Sequence, residues 1–128
     1  MTCKAHARLL DRSQSMQILR WQEAMPPQEQ QLYKRMQQEG LSPYTWANGP
    51  GDYYAVHCHS YQKVLYCTQG SIRFIFPEAT TLPDMPEFVD LAPGDCLILP
   101  ARVLHSAQVG PQGVTCVEAA RYDNAKSR

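Results

Sequence analysis

The chain has 128 residues and a mass of 14.5 kDa, with twelve basic and twelve acidic side chains that leave no net charge. This length suits one domain with a real core, and the balanced charge argues against nucleic acid as a partner. No apolar run approaches the roughly 20 residues that cross a bilayer, so we expect no membrane contact and a cytoplasmic location. We predict a single domain over residues 16–122, a flexible N-terminus over 1–15 and a frayed C-terminus over 123–128.

The five cysteines show neither the spacing of a zinc ribbon nor that of a redox C-x-x-C motif. Their number is odd, and the cytoplasm keeps cysteines reduced. We therefore predict five thiols that behave as small hydrophobic side chains. They are Cys3, Cys58, Cys67, Cys96 and Cys116.

The first predicted elements are an edge strand over Ile18–Trp21 and a helix that begins near Pro26 and ends before Gly40. Glu29 suits the first turn of this helix, and Gly40 suits the position just past its end. One apolar stripe runs along the helix, at Leu32, Tyr33 and Met36. A single stripe predicts a helix that packs against the outside of the remaining structure.

From Leu41 onward the sequence predicts short strands separated by Gly- and Pro-rich turns. The expected strands are 44–46, 53–59, 63–68, 71–76, 88–91, 97–99, 103–109 and 114–120. Gln69-Gly70 is expected to close a hairpin, and 110–113 a second turn. In the strand 71–76, alternation places Ile72, Phe74 and Phe76 in the core. The segment 77–87 is expected to form a flap near the mouth of an all-β sandwich or barrel.

Three of the four histidines form the candidate site. His57 and His59 are two residues apart on a predicted strand, so their side chains are expected to share one face. His105 could add a third imidazole from a distant strand. Three neutral imidazoles can bind a divalent transition metal, although hydrogen-bonded core histidines would give the same pattern.

Two segments resemble the paired motifs of the cupin superfamily. Gly51, His57, His59 and Gly70 stand in register with the first motif, and Gly94, Pro100 and His105 match the second. Lys63 replaces the glutamate of the first motif, and Val109 the asparagine of the second. The resemblance implies a cupin-type double-stranded β-helix, that is, a jelly-roll barrel with one N-terminal helix packed outside. It also implies that His57, His59 and His105 hold the metal, with Fe, Ni, Zn, Mn or Cu as candidates.

Lys63 leaves several outcomes open, because an ammonium cannot bind a metal and is repelled by one. The side chain could lose its proton and act as a base or a ligand. It could stay charged and orient an anionic substrate, as a catalytic residue. It could instead pair with an acid such as Glu118, or the site could have lost its metal. Tyr61, Cys67 and Glu118 are further candidates for the substrate pocket.

Two classes of function follow from these features. The first is a metal-dependent enzyme, dioxygenase-like or isomerase-like, that acts on a small anionic or chelating substrate. The second is a non-catalytic barrel that binds a small molecule or a metal, with or without metal in its pocket. Whether the protein is an enzyme stays open at this point. Cupin barrels commonly pair through their edge strands, so we also expect a homodimer.

Overall fold

The computed structural model describes residues 16–122, and the predictions for the two termini lie outside this range. It contains seven strands, one α-helix and one short 3₁₀ helix over Pro77–Thr80. The α-helix, α1, spans Glu29–Gln38. The strands are β1 Gln17–Leu19, β2 Tyr44–Asn48, β3 Tyr53–His57, β4 Gln62–Ile75, β5 Phe88–Leu91, β6 Cys96–Leu99 and β7 His105–Arg121.

The strands form one antiparallel sheet in the order β1-β6-β4-β7-β2, with β3 added to β7 and β5 added to β4. β4 and β7 form the centre of the sheet, and they pair from Gln62 with Arg121 to Ile75 with Ser106. The sheet closes as an all-β jelly-roll barrel with one helix, as the sequence predicts. The edge strand predicted over Ile18–Trp21 is present as β1, which pairs with β6.

Both predicted turns inside β4 and β7 are wrong, because each of these strands runs through its glycines without reversing direction. The register shifts between Cys67 and Gln69 and again between Gly70 and Ile72, so the paired strands bend there. Gly70 has φ +73°, and a Cβ at this position would lie 1.9 Å from the carbonyl oxygen of Gly113. Only glycine fits this bend, because any side chain would meet the facing strand.

The side chains pack in two layers. The inner core fills the barrel and contains Ile72, Phe74 and Phe76, each at most 2% exposed, as the alternation predicts. The outer core lies between α1 and the sheet, where Met36 packs with Val64 and with neighbours on β6 and β7. The helix therefore packs against the outside of the barrel, as predicted, and begins three residues later than Pro26.

The turn before β6 is fixed by the segment that follows β1. The Asp95 carboxylate accepts hydrogen bonds from the backbone N–H groups of Ala92 and Trp21, and from the Arg20 guanidinium at 2.8 Å. A Cβ at Gly94 would lie 2.4 Å from the Trp21 ring, so glycine permits this contact. The Asp95 side chain thus stabilises the turn.

Among the cysteines of residues 16–122, three are buried thiols, namely Cys67, Cys96 and Cys116. Cys58 is disulfide-bonded, so the prediction of a thiol was wrong there. Cys3 lies outside the described residues. In the same range no helix is long and apolar enough to cross a membrane.

Candidate metal centre

The three motif histidines meet inside the barrel. β3 ends at His57 and β7 begins at His105, and these two residues are direct partners in the antiparallel pairing. One ligand atom from each of His57, His59 and His105 lies within 4.8 Å of the others. The ring centroids are 4.4 to 5.3 Å apart. The cluster expected from the motif spacing is therefore present in the fold.

His59 reaches the cluster by a different route from the one expected. The predicted strand 53–59 stops at His57, and its register with β7 shifts between Tyr54 and His57. Simple alternation of side chains therefore does not explain why His57 and His59 converge. His59 lies in the connection after the strand, where its carbonyl oxygen accepts a 2.7 Å hydrogen bond from the backbone N–H of Arg102. That bond ties the connection to the segment just before β7.

Hydrogen bonds to the backbone orient two of the imidazoles. Nδ1–H of His57 donates to the carbonyl of Ala55 at 2.8 Å, and Nδ1–H of His105 donates to the carbonyl of Val103 at 2.9 Å. A carbonyl only accepts, so these bonds place the proton on Nδ1 and leave the Nε2 lone pair free. Nε2 of His59 and Nε2 of His105 are buried and have no hydrogen-bond partner.

The same burial keeps two of the imidazoles neutral. Desolvation lowers the pKa of His59 to about 4, and the positive charge of Lys63 adds to this effect. Desolvation also lowers the pKa of His105 to about 3, although the hydrogen bond to Val103 acts in the opposite direction and raises this pKa. Neutral imidazole is the form that binds metals. Two orphaned Nε2 atoms on neutral imidazoles, in a cluster whose ligand atoms lie within 4.8 Å of one another, fit a divalent transition metal.

Lys63 lies beside this cluster and faces Glu118. Its Nζ is 3.5 Å from Oε2 of Glu118, and both side chains are at least nine-tenths buried. Glu118 also accepts hydrogen bonds from the hydroxyl of Tyr44 at 2.7 Å and from the indole N–H of Trp46 at 2.9 Å. The structure thus shows the outcome in which Lys63 pairs with an acid. Burial and the bond to Glu118 raise the pKa of Tyr44 well above its ordinary value.

Tyr44 and Trp46 are site residues that the sequence analysis did not single out. They alternate on β2, so their side chains share one face, and Tyr44 lies directly opposite Glu118 on β7. The alternation of Tyr44-Thr-Trp46 was visible in the sequence. The pairing of this segment with β7 was not visible, because its paired positions, from Tyr44 with Glu118 to Asn48 with Val114, are far apart in the sequence.

A cavity of about 580 Å³ joins these groups. Its lining contains all three histidines, Lys63, Glu118 and Tyr61, together with an aromatic wall. The wall consists of Tyr44, Trp46, Tyr53, Tyr54 and Phe74. Cys67 does not line the cavity and lies instead in the inner core, so its assignment to the pocket was wrong. No residue of the segment 77–87 lines this cavity, and its assignment as a flap stays a prediction.

A jelly-roll barrel with a histidine cluster at its interior face is the architecture of a small cupin-superfamily protein. The sequence profile of the family described as AraC-like ligand binding domain matches residues 44–117, more than half of the chain. The chain belongs to this family. No curated protein matches it in sequence.

Several solved structures share the fold. A cupin superfamily protein from Desulfitobacterium hafniense is 13% identical with a TM-score of 0.52, over 90% of this chain and 84% of that chain. An RmlC-like cupin from Shewanella frigidimarina is 19% identical with a TM-score of 0.51, over 69% and 71%. A DMSP lyase from Ruegeria pomeroyi is 22% identical with a TM-score of 0.54, over 65% of this chain and only 39% of the lyase. At these identities the likeness establishes the fold alone.

Proposed function

We propose that this protein binds a divalent transition metal through His57, His59 and His105. The observation that carries the proposal is the pair of buried, unpartnered Nε2 atoms on His59 and His105. An unsatisfied buried polar atom costs about 1–3 kcal/mol, and a metal ligand role would remove that cost at both positions. Fe, Ni, Zn, Mn and Cu are the candidate ions. A bound ion supplies Lewis-acid polarisation and a template for a chelating ligand.

We further propose that Lys63 receives the anionic group of the ligand. Its contact with Glu118 is 3.5 Å long, whereas Tyr44 and Trp46 hold the same carboxylate at 2.7 and 2.9 Å. Glu118 therefore keeps two good donors when Lys63 leaves, so Lys63 is the partner that an incoming anion can take over. The charges of Lys63 and Glu118 cancel, and a dication would leave the cavity positive, which also favours an anion.

The walls indicate the rest of the ligand. Trp46, Tyr54 and Phe74 add apolar, aromatic surface to the lining that also contains the charged groups. Aromatic walls favour flat, apolar ligand bodies through stacking and edge contacts. The ligand class that fits is therefore a small carboxylate or related chelating anion with a planar or apolar body, within about 580 Å³.

The catalytic form of this proposal is dioxygenase-like or isomerase-like turnover of such an anion, with Lys63 orienting the substrate next to the metal ligands. The alternative is a binding barrel without turnover. One observation favours it: the matched family is described as a ligand binding domain. The lyase among the structural neighbours adds nothing to either form, because it shares only the fold.

Metal analysis of untagged protein tests the metal centre. We expect one equivalent of a transition metal after purification, or after titration with Fe²⁺, Ni²⁺, Zn²⁺, Mn²⁺ or Cu²⁺. His57→Ala and His105→Ala should lose this binding and keep the circular dichroism of the wild type. His6→Ala is the control, since His6 is outside both motifs. Absence of uptake for every ion would refute the metal centre and leave the metal-free binding barrel.

Three assignments from the sequence stay predictions. A small-molecule partner follows from the family, whereas the homodimer rests on open strand edges and is tested by light scattering coupled to size exclusion. The third is the cytoplasmic location. The disulfide at Cys58 argues against it, because disulfides are typical of oxidising compartments.

A further inference from the structure

Two thiols face each other across the central strands of the barrel. Cys67 on β4 and Cys116 on β7 are direct partners in the antiparallel pairing. The N–H and C=O groups of Cys67 bond to Asp95 and Gly94 on its other side, so the two cysteines form a non-hydrogen-bonded pair. In such pairs the Cα atoms are about 4.5 Å apart and the side chains lie close together.

This placement meets the requirement for a disulfide. Cα atoms of bridged cysteines are usually about 4.4–6.8 Å apart, and the value for a non-hydrogen-bonded pair lies at the short end of that range. The two side chains lie on the same face of the paired strands, and the Cys67 thiol donates weak hydrogen bonds to the carbonyl oxygens of Gln69 and Gly70 at 3.5 and 3.6 Å. Both residues are fully buried thiols of the inner core. A bond between the sulfurs would therefore need little movement of the backbone.

The pair lies next to the cavity. Trp46 is the partner of Cys116 on β2, and Glu118 follows Cys116 by two residues on the same strand. Both Trp46 and Glu118 line the cavity. Residues two apart on a strand share a face, so Cys116 points into the barrel just beyond the cavity wall.

We propose that Cys67 and Cys116 form a reversible redox pair that hydrogen peroxide converts into a disulfide. The Cys67 sulfur attacks one oxygen of the peroxide, the O–O bond breaks, and one water leaves with a sulfenic acid on Cys67. The Cys116 sulfur then attacks the Cys67 sulfur, the S–O bond breaks and a second water leaves. The two thiols lose two electrons and two protons, and the peroxide is reduced to two waters.

The order of the two steps follows from the environment of Cys116. The adjacent Cys67 side chain, together with burial, raises the pKa of Cys116 well above its ordinary value. Cys116 therefore stays protonated while Cys67 reacts, and it gives up its proton to the departing hydroxide, which leaves as water, when its sulfur attacks the sulfenic acid. Neither step involves the histidines, so this inference is independent of the metal centre.

Peptide mapping tests the pair directly. The full-length protein is reduced with dithiothreitol, freed of reductant, exposed to hydrogen peroxide, blocked with iodoacetamide while unfolded, and digested with trypsin. Cleavage after Lys63, Arg73, Arg102 and Arg121 places Cys67 on peptide 64–73 and Cys116 on peptide 103–121. We expect these peptides to appear cross-linked, lighter by two hydrogens than their sum, and to separate again with dithiothreitol.

Cys96 provides the matched control. It is as buried as the pair, but it lies in the outer core, against which Tyr66 packs. Cys96→Ser should leave the cross-link unchanged. Cys116→Ser should abolish it and leave a sulfenic acid on Cys67 that dimedone traps. Full alkylation of both wild-type cysteines after peroxide, or direct conversion to sulfinic acid without a cross-link, would overturn the proposal.

Discussion

Lys63 and Glu118 form an ion pair inside the barrel, 3.5 Å from Nζ to Oε2, in the cavity that also holds the histidine cluster. The resemblance to cupins places a carboxylate ligand at position 63, and this chain supplies an ammonium there. The carboxylate in the cavity comes instead from Glu118, which accepts hydrogen bonds from Tyr44 and Trp46. The cavity therefore contains a carboxylate as well as the histidine cluster, but this carboxylate is paired with a positive charge.

Replacing that charge should separate metal binding from anion binding. In Lys63→Met the ammonium next to the histidines is gone, so we expect metal affinity to rise by about tenfold or more, since the repulsion of a dication by a nearby cation is removed. Binding of a planar carboxylate such as benzoate to the metal-loaded protein should weaken by a similar factor. Calorimetric titration measures both affinities.

The control for this variant is Lys34→Met, which removes an exposed lysine of α1 and should change neither affinity. Unchanged benzoate binding in Lys63→Met, with metal binding intact, would show that Lys63 does not hold the anion. Loss of metal binding in Lys63→Met would instead contradict the arrangement of the metal centre.

Glu118→Gln tests the buried ion pair. The amide still accepts from Trp46 or Tyr44, but Lys63 keeps its charge without a partner. Removing the charge of one partner in a buried ion pair costs on the order of 3 kcal/mol, which should appear as a lower free energy of unfolding in urea. The double variant Lys63→Met/Glu118→Gln should recover most of this loss, because no charge remains unpaired.

The exposed ion pair between Arg73 and Asp90 provides a comparison for the buried pair between Lys63 and Glu118. Its contacts are shorter, at 2.7 and 2.9 Å, but both side chains are about half exposed. We expect Asp90→Asn to cost less than about 1 kcal/mol, since water screens this pair. Equal losses for Glu118→Gln and Asp90→Asn would show that burial does not set the strength of the Lys63 pair.

The histidine cluster could be predicted from the sequence because the spacing of the motif residues identifies it even where the strand itself is irregular. His57, His59 and His105 converge although the strand that was expected to align the first two ends at His57. The support of Glu118 by Tyr44 and Trp46 could not be predicted in the same way. It depends on the register between β2 and β7, which is set by packing across the barrel and not by neighbouring residues.

The hairpin error has a local cause. A glycine with positive φ marks a hairpin turn and a strand bend equally well, and Gln69-Gly70 between two apolar runs suits both. The deciding fact is that both halves of β4 pair with β7, which brings Gly70 against Gly113. No pattern within the segment 63–76 contains that information.

The bend can be tested with two glycines that share a backbone conformation. Gly40 and Gly70 have φ +84° and +73°, but a Cβ at Gly40 meets nothing within 4 Å. Gly40→Ala should therefore cost about 1 kcal/mol of backbone strain. Gly70→Ala should lower the free energy of unfolding by about 2 kcal/mol more than Gly40→Ala does, because its Cβ collides with the Gly113 carbonyl. Equal losses in urea unfolding would contradict the close contact between β4 and β7.

The buried histidines should make the metal-free protein sensitive to acid. Desolvation lowers the pKa of His59 to about 4 and that of His105 to about 3 in the folded state, whereas both return to about 6.5 on unfolding. Between these limits the unfolded chain binds more protons, so the free energy of unfolding is highest above pH 6.5 and decreases as the pH falls towards 4.

Urea unfolding at several pH values, in the presence of a chelator, measures this slope. Other groups titrate in the same range, so the informative quantity is the difference between wild type and His59→Asn/His105→Asn. The variant lacks both imidazoles and should lose less stability between pH 7 and pH 4.5 than the wild type, because its folded and unfolded states differ less in bound protons. Parallel curves for the two proteins would mean that these imidazoles accept protons in the folded barrel, and then they would not be the unprotonated ligands that a metal requires.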